Sequence, residues 1–176
     1  MTIQLGTHTI TYPSVEISAG ITVVTGASGT GKTTLLKILH GQLMADGYEP
    51  TPGTETALMP QTPTGIPYLK MLEQLKVAGA EGVNFSSLGL DQFLHRYPHQ
   101  LSIGQLQRFA LLAVLHSNTR QLLLDEPTSA LDDDWAEAAV DLIAEWVKQN
   151  PQGAVVVVTH DERLKKAFSN AKQLKL

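Results

Sequence analysis

A chain of 176 residues with 43% hydrophobic and 17% charged residues is long enough to bury a core and unlike a disordered polymer. Its 17 acidic and 13 basic residues give a net charge of −4, which argues against a general nucleic-acid surface. No cysteine is present, so disulfides, thiolate metal sites and cysteine nucleophiles are excluded.

The first predicted elements are strands over residues 2–5 and 8–17 around the turn Gly6-Thr7, with Pro13 marking an edge position. Ile21 to Thr25 is a short β-branched strand that runs into a glycine-rich loop, Gly26-Ala27-Ser28-Gly29-Thr30-Gly31-Lys32-Thr33. From Thr33 to Leu43, Leu35, Leu36, Leu39 and Leu43 recur at helical spacing. Residues 44–67 hold Pro50, Pro52, Pro60, Pro63 and Pro67, which predicts loop with one short strand near Ala57 to Met59.

Residues 68–98 read as short helices broken by Gly79, Gly82, Gly89 and Pro98. A helix from Ser102 to about His116 and a buried strand from Gln121 to Leu124 follow. Asp133 to Gln149 is a clear amphipathic helix, with Trp135, Ala139, Leu142, Ile143, Trp146 and Val147 on one face and Asn150-Pro151 as its stop. Val155 to Thr159 is another buried strand, and a helix from Asp161 is expected to carry most of the tail. Both tryptophans are assigned to the core. Continuous apolar strands alternating with helices indicate an α/β fold with a mainly parallel sheet covered on both faces. No run approaches the roughly 18 to 20 apolar residues of a membrane span, and the start Met1-Thr2-Ile3-Gln4 lacks the pattern of a secretory signal. A cytoplasmic chain is expected.

The glycine-rich loop sits between a strand and a helix, the setting in which backbone N–H groups converge on a phosphate at a helix N-terminus. Lys32 adds positive charge toward the β- and γ-phosphates, and the Thr33 hydroxyl, followed by Thr34, is placed to ligate Mg²⁺. The strand Leu122-Leu123-Leu124 ends in Asp125-Glu126, where Asp125 is a candidate Mg²⁺ ligand through the ion's water shell and Glu126 a candidate general base. Ser102, with Gln105 three residues later, is a capping box, so it should open a helix whose free N–H groups suit an anion. The remaining histidines show no metal-ligand spacing.

With Tyr97-Pro98 before it and Gln107-Arg108 after it, Leu101-Ser102-Ile103-Gly104-Gln105 resembles the signature segment of the ABC (ATP-binding cassette) ATPases, although Ile103 stands where most members have glycine. The resemblance covers about residues 17–165. It implies a P-loop NTPase core, a reduced antiparallel β-subdomain and a short helical subdomain at about 62–115 inserted in a single domain, 1–176. It also implies ATP and Mg²⁺ as ligands, with Gln61 in Met59-Pro60-Gln61-Thr62 as the Q-loop glutamine sensing Mg²⁺ and water. His160 in Val158-Thr159-His160-Asp161 is implied as the switch histidine, and Ser129-Ala130-Leu131-Asp132 as the D-loop along a dimer seam.

Ser102, Gly104 and Gln105 would contact the ATP of a partner chain, so the resemblance implies a homodimer or paired cassette and a separate transmembrane permease subunit. Glu126, His160, Gln61 and Lys32 would be the catalytic set of an ATPase lying on the cytoplasmic face of the membrane. Residues 95–101 lack a glutamate- and glycine-rich stretch, which favours an import-type system. The family's adenine-stacking aromatic would fall to His8 or Tyr12, and the short spans flanking Gln61 imply a trimmed helical lobe and partner-docking groove. A soluble non-transport ABC ATPase, such as an iron–sulfur assembly ATPase, is the alternative reading, and an unrelated P-loop kinase a third.

Overall fold

Five parallel strands form the main sheet, in the spatial order Thr56–Met59, Gln121–Asp125, Ala154–Val158, Gly20–Thr25 and Lys172–Lys175, of a computed structural model that describes residues 1–13, 15, 17–49, 55–80 and 83–176. Pro50, Pro52, Gly82 and part of the predicted 8–17 strand lie outside the described residues. The three central strands are β3 (Gly20–Thr25), β5 (Gln121–Asp125) and β6 (Ala154–Val158), with β4 (Thr56–Met59) on one edge. All five residues of β6 are buried, as expected of a parallel strand covered on both faces.

The strand period of two divides the core. Val23, Leu122, Leu124, Val155 and Val157 pack with α3 (Ile103–Leu115) and α4 (Asp133–Gln149). Val24, Leu123, Val156 and Val158 pack instead with Leu35, Leu36, Ile38 and Leu39 of α1 (Lys32–Leu39). Each such side chain contributes roughly 1.5–3 kcal/mol by leaving water. The glycine-rich loop and the Asp125-Glu126 pair therefore emerge at the carboxyl ends of β3 and β5, on either side of β6, from strands fixed by two cores.

A small antiparallel pair, β1 (Thr2–Leu5) with β2 (His8–Thr11), lies beside α1 and adds Ile3 and Ile10 to its core. Between β4 and α3 come α2 (Met71–Val77) and three 3₁₀ turns, Phe85–Leu88, Asp91–Phe93 and Pro98–Gln100. No helix among the described residues is long and apolar enough to cross a membrane.

Five expectations need correction. The second strand ends at Thr11: Tyr12 still bonds Met1 through its N–H and carbonyl, but Pro13 beyond it has no N–H for a ladder. α1 stops at Leu39: Gly41 takes φ +78, and the N–H groups of Gln42 and Leu43 fold back onto the Lys37 carbonyl. Pro98 opens a 3₁₀ turn at its first position instead of breaking a helix. The tail helix is only α5 (Glu162–Ala167), and the chain then adds an edge strand, β7 (Lys172–Lys175), alongside β3. Trp146 is core, but Trp135 is only half-buried, with the Arg108 guanidinium 4.4 Å from its ring centroid.

Candidate functional site

The loop between β3 and α1 wraps around Lys32. Its ammonium donates to the Gly26 and Ala27 carbonyls at 2.9 and 2.8 Å, and Thr30 Oγ1 donates to Ala27 at 3.0 Å. α1 has no side-chain cap and no acidic residue in its first turn, so its N-terminal dipole is not neutralised there. Thr33 Oγ1 points across to β5 and donates to Asp125 Oδ2 at 2.7 Å. Burial pushes the Asp125 carboxyl above its ordinary range, opposed by that hydrogen bond and by the charges of Lys32 and Lys37.

Glu126 follows with φ +49, the only positive φ at a non-glycine among the described residues. The turn aims its buried side chain toward the loop after β6. There the His160 N–H donates to Glu126 Oε2 at 3.0 Å, and His160 Nε2 lies 3.6 Å from Oε1. The His160 imidazole is 55% exposed and free to meet a ligand. Ser28, Gly29, Gly31, Thr34 and Gln61 complete the walls of this cleft of about 440 Å³, together with Lys32, Thr33, Asp125, Glu126 and His160. All four expected catalytic side chains thus line one cleft, with Gly26, Ala27 and Thr30 shaping the loop behind it.

Ser102, Gly104 and Gln105 lie elsewhere, on a second cleft of about 390 Å³. The capping box is present in full: Ser102 Oγ accepts from the Gln105 N–H at 3.2 Å, and the Ser102 N–H donates to Gln105 Oε1 at 2.9 Å. Ile103 is exposed beside it. Gly104 has a second constraint, since a Cβ there would sit 2.6 Å from the Ala130 carbonyl oxygen. Asp132 caps α4 through the Trp135 N–H at 3.1 Å, so the Ser129–Asp132 segment runs against the start of α3 and into α4.

Of the two adenine-stacking candidates, Tyr12 is removed. Its ring is buried and its hydroxyl donates to the Gly31 carbonyl at 2.9 Å, beneath the loop. His8 is exposed on β2, and Ile10 from the same strand reaches the cleft wall.

Sequence reasoning gave no individual role to four side chains that hold the site, Gln107, Thr128, Asp161 and Arg163. Gln107 is fully buried and bonds Glu126, Ser129 and Ala130. Its signal was its place in the Gln107-Arg108 pair that follows the signature segment. Thr128 Oγ1 donates to Asp161 Oδ2 at 2.6 Å, tying the turn after Glu126 to the residue after His160. Burial pushes the Asp161 carboxyl up, but hydrogen bonds from Arg163 and Thr128 outweigh it and hold the group below its ordinary value. Arg163 also bridges to Asp133 at the start of α4.

Among the described residues no cluster of three or more His, Cys, Asp or Glu side chains forms a closed metal cage. The expected donors Thr33, Asp125 and Gln61 all line the one cleft, and a hydroxyl, a carboxylate and an amide carbonyl are hard oxygens of the kind Mg²⁺ takes while keeping several waters.

Comparison with known proteins agrees with this chemistry. The ABC transporter family pattern matches residues 13–129. HrtA of Staphylococcus aureus, which carries the provisional name of a hemin import ATP-binding protein, is 35% identical over 85% of this chain and 80% of its own. The dimeric post-hydrolysis structure of the ATP-binding cassette MJ0796 bound to ADP and Pi superposes with a TM-score of 0.77 at 25% identity, covering 94% of this chain and 87% of that one. An RNase-L Inhibitor structure gives a TM-score of 0.85 at 26% identity, over 94% of this chain but only 34% of its own length. With a P-loop, an acidic strand end and a capped signature helix on one α/β core, the chain belongs to the ABC transporter family as an ATP-binding, ATP-hydrolysing subunit.

Proposed function

We propose that two copies of this chain close head-to-tail around two ATP molecules and drive a separate membrane subunit. One observation carries the reading: the phosphate-loop cleft and the signature cleft share no lining residue. Both present a helix N-terminus, at Gly31-Lys32 and at Ser102-Ile103, suited to an anion. A chain that holds its own nucleotide phosphates with the first has the second to offer to another chain.

In this reading Lys32 and the loop amides bind the phosphates, and Thr33 and Asp125 hold Mg²⁺. The ion, when bound, neutralises charge on the β- and γ-phosphate oxygens. Glu126 orients the attacking water and takes its proton, while His160 and Gln61 line the γ-phosphate side. The partner's signature helix, from Ser102, Gly104 and Gln105, completes the site.

An apolar groove of about 130 Å³ between Gly65, Met71, Leu75, Leu106 and Phe109 supports docking of a membrane subunit, with Ile66 and Tyr68 exposed nearby. The import direction is supported by the name of the HrtA relative and by the composition of residues 95–101. A soluble, non-transport ATPase is the second reading, favoured by the likeness to the RNase-L Inhibitor.

Mixing inactive variants tests the shared site. Lys32→Ala and Ser102→Arg chains are each inactive alone, because every site carries one defect. A mixed pair concentrates both defects in one site and leaves the other intact, so mixing restores part of the ATPase activity. No recovery on mixing would place the site within one chain. ATPase stimulation by a co-expressed multi-span membrane protein encoded beside this gene separates transport from the soluble reading.

A further inference from the structure

Gln107 lies one turn beyond the capped start of α3, with no exposed surface. Its carboxamide is used on both sides. Nε2 donates to the Glu126 carbonyl at 2.9 Å and to Ser129 Oγ at 3.1 Å, while Oε1 accepts from the Ala130 N–H at 2.9 Å. The same Glu126 carbonyl also accepts from the Ser129 N–H at 3.2 Å, closing a turn over residues 126–129. One amide side chain therefore clamps both ends of the turn on which Glu126 sits.

That turn needs holding. Glu126 at φ +49 is in the left-handed region, which costs a non-glycine residue of order 1 kcal/mol or more and persists only where surroundings over-determine it. Its carboxylate is fixed from the other side by the His160 N–H. The start of α3 lies close against the same segment, since a Cβ on Gly104 would meet the Ala130 carbonyl oxygen at 2.6 Å. A displacement of α3 is thus passed to residues 126–130 by a steric contact and by three hydrogen bonds in a buried place, where unmade hydrogen bonds are expensive.

We propose that Gln107 is a positioning residue that couples the Ser102 helix start to the Glu126 backbone. Glu126 then takes its hydrolytic geometry only when α3 is seated. The inference rests on the reading that Ser102 meets a nucleotide held by a partner chain: engagement of that phosphate seats α3, and Gln107 carries the seating to the partner-engaged chain's own general base. Each site is informed in this way that the opposite site is loaded.

The test uses the full chain with Gln107→Met, which keeps length and volume but has no amide, and Ser129→Ala, which removes a single contact. Nucleotide affinity, KM and kcat are measured together. Gln107→Met is expected to lower kcat at least tenfold with KM and ATP affinity within about twofold, and Ser129→Ala to lower kcat two- to fivefold. Ile143→Val, a core truncation on α4 away from this turn, serves as the stability control and keeps kcat within twofold. In a Glu126→Gln background Gln107→Met should bring no further loss of residual hydrolysis, because both act at one step. A kcat within twofold of the parent for Gln107→Met, or a loss matched by Ile143→Val, overturns the proposal. If Glu126→Gln alone forms no ATP-dependent dimer, the shared-site reading fails and the coupling falls with it. A dimer that forms while Gln107→Met keeps its kcat overturns the coupling and leaves the shared site standing.

Discussion

The Thr33 hydroxyl donates to the Asp125 carboxylate at 2.7 Å although 92 positions separate them in the chain. The bond joins the end of β5 to the start of α1 and sets two oxygen donors side by side, where Mg²⁺ is expected. Thr33→Val keeps the shape and removes the donor. ATPase activity should fall at least tenfold and the Mg²⁺ concentration for half-activity should rise, as measured in a metal titration. An unchanged Mg²⁺ profile would separate Thr33 from the ion.

Glu126→Gln keeps size and hydrogen-bonding capacity but cannot accept a proton. General-base catalysis contributes on the order of 10²- to 10⁴-fold, so hydrolysis should drop by at least a hundredfold while ATP binding persists. Size-exclusion chromatography with ATP and Mg²⁺ should then show a stable dimer. A variant that stays monomeric would count against the shared-site mechanism.

Gly104→Ala forces a methyl group to within 2.6 Å of the Ala130 carbonyl oxygen, a backbone atom. Overpacking of this kind costs typically about 1–3 kcal/mol. Thermal unfolding should register that loss, together with reduced hydrolysis. Ser102→Ala loses only the cap, about 1 kcal/mol, and should unfold nearer the parent. Equal melting temperatures for Gly104→Ala and the parent would show that the approach can relax.

Asp161 makes stability depend on acid. Its native carboxyl is held below the ordinary value of 3.8, so the folded state binds fewer protons than the unfolded one. The contribution is therefore complete above that ordinary value and is lost as pH falls through the lower native one. Asp161→Asn should cost about 1–2 kcal/mol at pH 7, the scale of a charge-assisted hydrogen bond. Urea unfolding should show the gap to the parent closing below pH 3.8. A gap of constant size down to acid pH would contradict the assignment.

Tyr12→Phe removes the hydroxyl that donates to Gly31 and should lower stability by about 1 kcal/mol. Because the ring is buried beneath the loop, the ratio of ATP to GTP turnover should not move. A changed ratio would return Tyr12 to the base site.

Elements with strong internal patterns were legible from the residues. α4 has the expected bounds, and the strands at 20–25, 121–125 and 154–158 are apolar runs whose burial dictates them. Strand β7 was not legible: Lys172-Gln173-Leu174-Lys175 is short, charged and mostly exposed, and exists through its ladder with β3. The true end of α1 was hidden because Leu43 keeps the apolar period after Gly41 has turned the chain. The phosphate-loop cleft gathers the four expected catalytic side chains with Thr33, Thr34 and Asp125, while Ser102, Gly104 and Gln105 line a separate cleft. The supporting hydrogen bonds were invisible, since Gln107 and Asp161 work through atoms brought near only by the fold.

Strand β7 has an effect beyond its own residues. The Leu176 N–H donates to the Thr25 carbonyl at 2.8 Å, and a Cβ on Gly26 would lie 2.6 Å from the Leu176 carbonyl oxygen. The tail thus backs the first residues of the nucleotide loop and shields the flank of β3, the strand that feeds it. Stripped of 172–176, β3 would become a bare β-branched margin with unpaired amides, an invitation to strand exchange with another chain. A four-residue strand with no side chain in the cleft thus both covers a sheet edge and backs the nucleotide loop.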